Sequence, residues 1–358
     1  MKKVKIVGTL ILAVYIVVIP FITFFYRPQD NLNLNTENSK VGQVIMLWHI
    51  ESFEGGSGNR ANFISKMATD YEKKNKGYYV IVKNLSEEEA IDGLLKGDRP
   101  DLISFSHSIG ADLSIYLSEL NIDTSNIRTS LLEYGKLDGE QLAVPYLLSG
   151  YCLIGNGNVN SKVLENLSAS TAFTFNVETK KGIKPSLIVG TNENEFSIYS
   201  LLSNTDIVGN LTSVDDDFES MNSFEAYSKF TNQSSSAVLL GTARDYYRVK
   251  NKENLGVMGK CSYVPLGEFT DLIQYLGVIV QSSFASDFIE YLVSQEVQKQ
   301  ISSIGLFSVT SEKIYSDEHY SCFENVLLNE LTSINVFMSD EEKNALIKKA
   351  MNKIFNLL

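Results

Sequence analysis

The residue types that could do chemistry in this chain do not form a catalytic motif. Three histidines lie in unrelated sequence contexts: His49, His107 and His319. The sequence has neither the His-Glu-x-x-His pattern of zinc hydrolases nor the Gly-x-Ser-x-Gly turn that carries a nucleophilic serine. Glycosidases bring paired carboxylates together by fold and not by spacing, so the sequence leaves that class open. Since Glu51, Glu54 and Asp245 are expected to be solvated or hydrogen-bonding groups, we predict a protein that is not an enzyme and needs no cofactor.

The three cysteines do not have the spacing of metal ligands: Cys152, Cys261 and Cys322. Their apolar and aromatic neighbours predict small buried side chains. One disulfide is possible, but sequence alone cannot say which two cysteines would form it. We predict no metal site.

The acidic composition excludes one large class of partner. The formal net charge is −12, whereas nucleic-acid binding requires a basic surface that displaces counterions. The 358 residues are more than one core usually holds, and the 44% apolar content can fill two cores of ordinary size. We therefore expect a two-lobed protein that does not bind nucleic acid.

The N-terminus predicts the compartment. Residues 6–26 are uncharged and almost wholly apolar, which is long enough to span a bilayer, and lysines precede them. The lysines on the N-terminal side predict that the N-terminus lies in the cytoplasm and the main body outside. Residues 1–26 would then be a single-pass anchor in the cell membrane. A cleaved signal peptide is the alternative. Residues 27–42 are polar and rich in asparagine, which predicts a linker.

After the linker, strands and helices alternate. The predicted order is strand 44–48, helix 59–75, strand 78–82, helix 86–97 and strand 102–105. This order predicts a parallel sheet with right-handed crossovers, in which ligands bind beyond the carboxyl ends of the strands. The loops 49–59 and 106–110 are therefore the expected ligand loops.

The first of these loops contains the segment Glu54-Gly55-Gly56-Ser57-Gly58. Free backbone N–H groups there could hold an anion, but the segment lacks the Gly-Lys-Ser/Thr ending of phosphate loops. Lining the cleft of a neutral or polar ligand is the favoured role. Trp48 and His49 end the first strand, where an aromatic ring either stacks on a ligand or belongs to the core.

The stretch 136–156 predicts a hinge. Asp138-Gly139 favours a tight turn between two short strands, and Pro145 interrupts the ladder that follows. The next extended run is long enough to leave one globular body and enter another. We expect a cleft where the chain crosses.

Several stretches, taken in order, resemble the extracellular solute-binding proteins of bacterial ABC importers, specifically the sugar- and oligosaccharide-binding family 1. Residues 44–49, Val-Ile-Met-Leu-Trp-His, are similar to the opening strand of that family. Residues 97–103 contain its Gly-x-x-Pro-Asp pattern, and residues 137–156 resemble its crossing, with Asp-Gly, Val-Pro-Tyr and a strand that ends in Asn. Residues 285–305 resemble its pair of C-terminal helices. The likeness spans residues 44–308.

The resemblance implies an α/β, two-lobed periplasmic-binding-protein-like fold of type II. Each lobe would be a mainly parallel sheet flanked by helices, and hinge crossings would join the lobes near residues 146–151, 264–267 and 307–309. The implied division is residues 43–147 plus 266–307 for lobe 1 and residues 148–264 plus 309–358 for lobe 2.

The resemblance also implies a function: capture of a small solute, a sugar or oligosaccharide, in the cleft and its delivery to the membrane permease of an ABC transporter. Stacking contacts are expected from Trp48, Tyr146, Tyr151, Tyr246 and Phe269. Polar contacts are expected from His49, Glu51, Asn59, Ser106, His107, Arg244 and Asp245.

The sequence departs from the family at two points. Only 80 residues separate Asn156 from Ala237, which is short for the second lobe, and the chain has a single tryptophan, although its 18 tyrosines could also stack on sugars. The fold is thus better defined than the ligand. Two other functions stay open: a sensor or interaction protein with a degenerate binding fold, and an enzyme that acts on cell-surface glycans.

Overall fold

The computed structural model describes residues 42–51, 53, 57–156, 186–189, 196–202, 221–232, 237–329 and 331–355. The predicted anchor, residues 27–41 of the predicted linker and Glu54 to Gly56 lie outside these residues. Within the described part of the chain, no helix is both long and apolar enough to cross a bilayer. The described residues belong to one compact unit.

The described elements alternate along much of the chain. The strands are β1 (Gln43–Ile50), β2 (Tyr78–Leu85), β3 (Leu102–Phe105), β4 (Lys136–Leu137), β5 (Glu140–Gln141), β6 (Ala143–Leu148), β7 (Tyr151–Gly155), β8 (Ser186–Val189), β9 (Ala237–Thr242), β10 (Ser262–Leu266) and β11 (Ile273–Val278). The helices are α1 (Arg60–Lys74), α2 (Glu87–Leu95), α3 (His107–Leu113), α4 (Thr129–Leu132), α5 (Ser197–Leu202), α6 (Ser223–Asn232), α7 (Ala243–Asn254), α8 (Ser283–Leu292), α9 (Gln295–Gln300), α10 (Glu318–Leu327) and α11 (Asp340–Phe355). The predicted βαβαβ order of residues 44–105 is confirmed.

Local side-chain chemistry explains where the helices begin. The Asn59 side chain accepts a hydrogen bond from the Asn62 N–H at 3.0 Å and so caps α1. Ser86 and Glu89 form the predicted capping box of α2, in which each side chain bonds the backbone N–H of the other. One apolar face of α1 is buried against the sheet: Phe63, Ile64, Met67, Ala68 and Tyr71.

The first sheet has the strand order β2-β1-β3-β11-β6. β1 is parallel to β2 and β3, whereas β11 is antiparallel to β3 and β6. The carboxyl ends of β1, β3 and β6 and the amino end of β11 therefore meet at one edge of the sheet. We call this the crossing edge; Ile50, Phe105, Leu148 and Ile273 mark it.

The chain passes between two sheets at this edge. After Leu148 it continues through Ser149 and Gly150 into β7 of a second sheet, whose order is β10-β7-β9-β8. It returns between Leu266 and Ile273. The first passage lies within the predicted crossing at residues 146–151, and the second begins at the one predicted at residues 264–267. Phe307 pairs with Leu148 through two backbone hydrogen bonds, of 2.8 and 3.1 Å, so the third predicted crossing lies beside the first. The complete division into lobes stays a prediction.

The second sheet differs from the expected mainly parallel arrangement. β7 is antiparallel to both β10 and β9, and only the β8–β9 pair of the described strands is parallel. The reason lies in the crossings: β7 enters from the first sheet and β10 returns to it, so the two neighbours must run in opposite directions. The prediction of a mainly parallel sheet is wrong for this part of the fold.

The predicted hairpin before the first crossing is confirmed. β4 and β5 are antiparallel, and their turn places Asp138 at φ 51° and Gly139 at φ 91°. Such left-handed conformations favour an Asp-Gly pair. The final helix α11 also begins at its predicted capping box, because Ser339 and Glu342 exchange side-chain and backbone hydrogen bonds.

Candidate functional site

A buried hydrogen-bond cluster lies at the crossing edge. The Ser104 Oγ atom, on β3, is 2.9 Å from His49 Nδ1 and 2.8 Å from Tyr146 Oη. Gln274 Nε2 donates to the same Oγ over 3.1 Å and to the backbone oxygen of Ile50 over 2.7 Å. The four side chains come from β1, β3, β6 and β11, and all are buried. The order of the strands brings them together.

Arg60 extends this cluster from the first turn of α1. Its Nε donates to Glu51 Oε1 over 3.2 Å, and its Nη2 donates to the backbone oxygen of Phe53. Its Cζ also lies 4.2 Å from the centre of the Phe53 ring. The Arg60 side chain is 2% exposed, whereas that of Glu51 is 40% exposed. The pair therefore joins a buried cation to a partly hydrated carboxylate.

Burial shifts the protonation of the cluster. It lowers the pKa of His49 to about 3, and the charge of Arg60 adds to this shift. Burial is also the main reason why the pKa of Arg60 is lowered; Glu51 opposes the shift and the charge of Arg244 adds to it. His49 is consequently neutral at physiological pH. The Tyr146 phenol also stays protonated, because burial raises its pKa.

Three polar atoms of the cluster are buried without a hydrogen-bond partner in the described structure: His49 Nε2, Arg60 Nη1 and Gln274 Oε1. The residues themselves are 1%, 2% and 0% exposed. A buried polar atom without a partner costs about 1–3 kcal/mol, and such atoms tend to mark functional positions. These three atoms therefore have hydrogen-bonding capacity that the described residues do not use.

A second cluster links the two crossings. Asp271 lies just before β11 and accepts a hydrogen bond of 2.7 Å from the Tyr151 hydroxyl on β7. Its other carboxylate oxygen is 3.1 Å from His107 Nε2. Lys343 Nζ, on α11, donates to the His107 backbone oxygen over 2.7 Å. Asp271 therefore connects the first strand of the second sheet to the first sheet and α3.

The structure places Trp48 away from the crossing-edge cluster, against the expectation that it stacks on a ligand. Successive residues of a strand point to opposite faces, so Trp48 and His49 lie on different sides of β1. The Trp48 ring packs closely over Gly93 of α2: a Cβ atom added to Gly93 would lie only 2.8 Å from the ring. Lys83 Nζ is 5.5 Å from the ring centre. Trp48 thus belongs to the core in this structure.

Two other predicted stacking residues also lie in aromatic cores. The Tyr246 ring is 4.6 Å from the ring of Tyr263, measured between centroids, and 5.5 Å from that of Tyr320. The Phe269 ring is 4.7 Å from the ring of Tyr199. Both side chains are buried, and these contacts give no support for a stacking role.

Three of the predicted polar residues cap helices. Asn59 caps α1, Ser106 caps α3, and Asp245 accepts a 3.0 Å hydrogen bond from the backbone N–H of Thr242 at the start of α7. Arg244 lies in the first turn of α7, beside Ala243, whose N–H donates to the Gly150 oxygen over 3.0 Å. Arg244 is therefore next to the first crossing.

The twelve predicted residues thus fall into separate groups. Those in or beside the Ser104 cluster are His49, Glu51, Tyr146 and Arg244. Those in the Asp271 cluster are His107 and Tyr151. The remainder cap helices or pack in cores: Asn59, Ser106, Asp245, Trp48, Tyr246 and Phe269. Sequence reasoning missed Arg60, Ser104, Gln274 and Asp271. The ligand contacts of all twelve stay predictions.

Metal chemistry has no support in the described residues, which contain no group of three or more histidine, cysteine or carboxylate side chains able to hold an ion. The three cysteines are free, with Cys152 buried and Cys322 exposed.

No protein-family model matches this sequence, and neither does any curated protein. Solved structures do match. The GacH receptor of Streptomyces glaucescens, solved free and with acarbose, has a TM-score of 0.55 at 16% identity, covering 88% of this chain and 99% of that one. An extracellular solute-binding protein of Staphylococcus aureus in complex with maltose has a TM-score of 0.57 at 12% identity, covering 89% and 98%. Thiaminase I from Bacillus thiaminolyticus has a TM-score of 0.58 at 11% identity, covering 86% and 99%.

These likenesses confirm the predicted fold. The chain has the two-lobed α/β architecture of the periplasmic-binding-protein type, and several of the similar structures are sugar-binding proteins, some of them in complex with maltose. One neighbour is an enzyme, so the architecture alone does not separate binding from catalysis.

Proposed function

We propose that this protein is the membrane-anchored solute-binding component of an ABC transporter, which captures a small extracellular solute, a sugar or oligosaccharide, and delivers it to the permease. The observation that carries the proposal is the set of three buried polar atoms without partners at the crossing edge. In sheets of this kind, ligands bind beyond the carboxyl ends of the strands, at the point where the topology changes. The crossing edge is that point.

The crossings support a closing motion. Two passages of the chain, at Ser149–Gly150 and between Leu266 and Ile273, connect the sheets at the same edge as the polar cluster. Rotation about a few such residues is the usual hinge mechanism of two-lobed binding proteins. Arg244 from the second-sheet side and His49 and Arg60 from the first would then approach one ligand from both lobes.

The anchor and the permease belong to the same proposal. The apolar segment 6–26 would hold the binding protein at the membrane surface. Tethering raises the effective concentration of a binding module near its partner. The proposed ligand is neutral or polar, and no cofactor takes part.

Thermal unfolding of the purified full-length chain, in a mild detergent, tests this proposal. The ligand panel contains maltose, maltotriose, glucose, galactose, peptides, nucleosides and polyamines. A ligand at one hundred times its Kd stabilises the folded state by about 2.7 kcal/mol, which raises Tm. We expect at least one saccharide to do so. The proposal is wrong if no saccharide shifts Tm.

Enzymatic activity is checked in the same samples. Mass spectrometry of each stabilising saccharide after overnight incubation should recover it unchanged, because the proposed role of the cluster is binding and not catalysis. Conversion of the saccharide would instead place the protein among the enzymes of this fold.

One observation favours a second candidate, a sensor or interaction protein with a degenerate binding fold. The five rings expected to stack on a sugar are all buried: Trp48, Tyr146, Tyr151, Tyr246 and Phe269. A protein without exposed platforms could signal to a membrane partner without binding sugar. Failure of the whole panel, together with co-purification of a membrane protein that is not a permease, would favour this candidate.

A further inference from the structure

The hydrogen bonds around Ser104 limit the protonation of the His49 ring to two arrangements. The backbone oxygen of Ile50 can only accept, so Gln274 Nε2 must face it, and its second hydrogen goes to Ser104 Oγ. Ser104 then has one hydrogen and one lone pair left for Tyr146 Oη and His49 Nδ1. Two arrangements satisfy this count.

Each of them leaves one hydrogen without an acceptor among the described residues. If His49 Nδ1 donated to Ser104, the serine would donate to Tyr146, and the unbonded hydrogen would be that of the Tyr146 phenol. If Tyr146 donates to Ser104 instead, Ser104 donates to an unprotonated His49 Nδ1, and the neutral imidazole carries its unbonded proton on Nε2. An acceptor on a ligand bound at Nε2 would complete the second arrangement and make Nε2 a donor.

Arg60 adds further donors beside it. Nε and Nη2 of Arg60 are bonded to Glu51 and Phe53, which leaves the Nη1 amino group without a partner in the described structure. Gln274 Oε1 is the matching acceptor, since its amide nitrogen is already committed. With His49 in the second arrangement, the cluster presents N–H groups on two side chains and one amide oxygen.

The local charge favours an anion over a neutral hydroxyl. Glu51 is 40% exposed and so compensates the buried Arg60 cation only in part, because water screens its charge. Burial is the main reason why the pKa of Arg60 is lowered, and the nearby positive charge of Arg244 adds to the shift. A carboxylate placed at Nη1 and Nε2 would receive charge-assisted hydrogen bonds and offset this excess.

We infer that the crossing edge binds a hydroxylated carboxylate, of the kind found in sugar acids: the carboxylate accepts from Arg60 Nη1 and His49 Nε2, and a neighbouring hydroxyl donates to Gln274 Oε1. This inference rests on the proposed function and narrows its ligand from sugars in general to acidic ones.

Isothermal titration calorimetry of the full-length chain tests it with matched pairs. D-glucuronate is compared with D-glucose and D-galacturonate with D-galactose, since each pair differs only at the carboxylate carbon. Glycerate, a hydroxy acid without a ring, distinguishes a small organic acid from a sugar acid. We expect at least one uronate to bind at least about tenfold more tightly than its neutral parent and than glycerate.

Variants separate the contact from a general effect on folding. Arg60→Lys should lower affinity for that uronate by about tenfold or more and leave affinity for the neutral sugar nearly unchanged. Arg99→Lys is the matched control and should change neither, because Arg99 precedes β3 at the opposite end of the sheet and bonds Leu94. If Arg60→Lys does not fold, Arg244→Gln, at a half-buried position, should also weaken uronate binding selectively.

The calorimetric results distinguish the inferred preference for sugar acids from the proposed function of sugar capture. Equal or tighter binding of the neutral sugars overturns the inference and leaves sugar capture intact. Glycerate binding as tightly as the uronates overturns the sugar-acid assignment. Absence of binding by every saccharide, acidic or neutral, overturns both. Nitrogen-15 NMR of the His49 ring in the uronate complex, assigned by its loss in His49→Asn, must show the proton on Nε2; a proton on Nδ1 contradicts the donor assignment.

Discussion

The buried imidazole of His49 should make the protein lose stability on acidification. In the folded state its pKa is about 3, against an ordinary value of 6.5, because burial and then the charge of Arg60 disfavour the protonated form. Between pH 6.5 and pH 3, His49 is protonated in the unfolded chain but stays neutral in the folded chain. Folding stability is therefore fully present above pH 6.5 and falls as the pH decreases toward 3.

The size of this effect follows from the same values. Between pH 7 and pH 5 the His49 contribution alone should reduce the free energy of unfolding by about 2 kcal/mol, and by about 4 kcal/mol in all at pH 3. A typical domain is stable by only about 5–15 kcal/mol, so the loss is measurable. Carboxylates add to acid sensitivity mainly below about pH 5, which makes the upper window specific to histidine.

Urea denaturation of the full-length chain at pH 7, 6 and 5 measures this contribution. His49→Asn keeps an acceptor for Ser104 and removes the titrating group, so it should be less stable than the parent at pH 7 yet lose about 2 kcal/mol less between pH 7 and pH 5. His319→Gln, at an exposed position, is the control and should lose as much as the parent. Equal losses in the parent and in His49→Asn would refute the reasoning.

Three further perturbations test the packing that supports the site. Gly267→Ala would place a Cβ 1.8 Å from Val326 Cγ1 at the return crossing, so urea denaturation should show a loss of about 1–3 kcal/mol, whereas Gly259→Ala, with open space around it, should show almost none. Asp271→Asn should lower the free energy of unfolding by about 1–3 kcal/mol in the same assay, because Tyr151 and His107 lose their buried carboxylate partner. A loss below 0.5 kcal/mol, roughly the scatter of surface substitutions, would count against this link between the crossings. Ser86→Ala removes a capping box and should lower stability by about 1 kcal/mol, and an unchanged Tm would contradict it.

The elements of the first sheet could be predicted from sequence because their signals are local. The capping box at Ser86, the glycines that follow α1 and α2, and the Asp138-Gly139 turn each act within a few residues. Local signals determine where an element begins and ends. The antiparallel pairing of β7 could not be obtained this way, because it depends on the path of the whole chain.

The candidate site was predictable only in part. His49 follows from its place at the end of β1, but Ser104 and Gln274 are 55 and 225 residues away from it along the chain, and only the strand order joins them. Trp48 shows a second limit of the sequence. When a strand is buried on both faces, the alternation of side chains predicts that Trp48 and His49 point in opposite directions, but not which of them joins the polar cluster.

Hydrogen–deuterium exchange tests the central claim, that a solute binds at the crossing edge. The full-length chain is measured with and without the saccharide that raises Tm most. Peptides of the crossing edge should exchange more slowly with the ligand: 47–51, 103–107, 146–150 and 271–275. Peptides at the opposite ends of the same strands, around Gln43, Tyr78 and Val278, should be unchanged. Protection spread evenly over both ends, or absent from the crossing edge, would contradict the account.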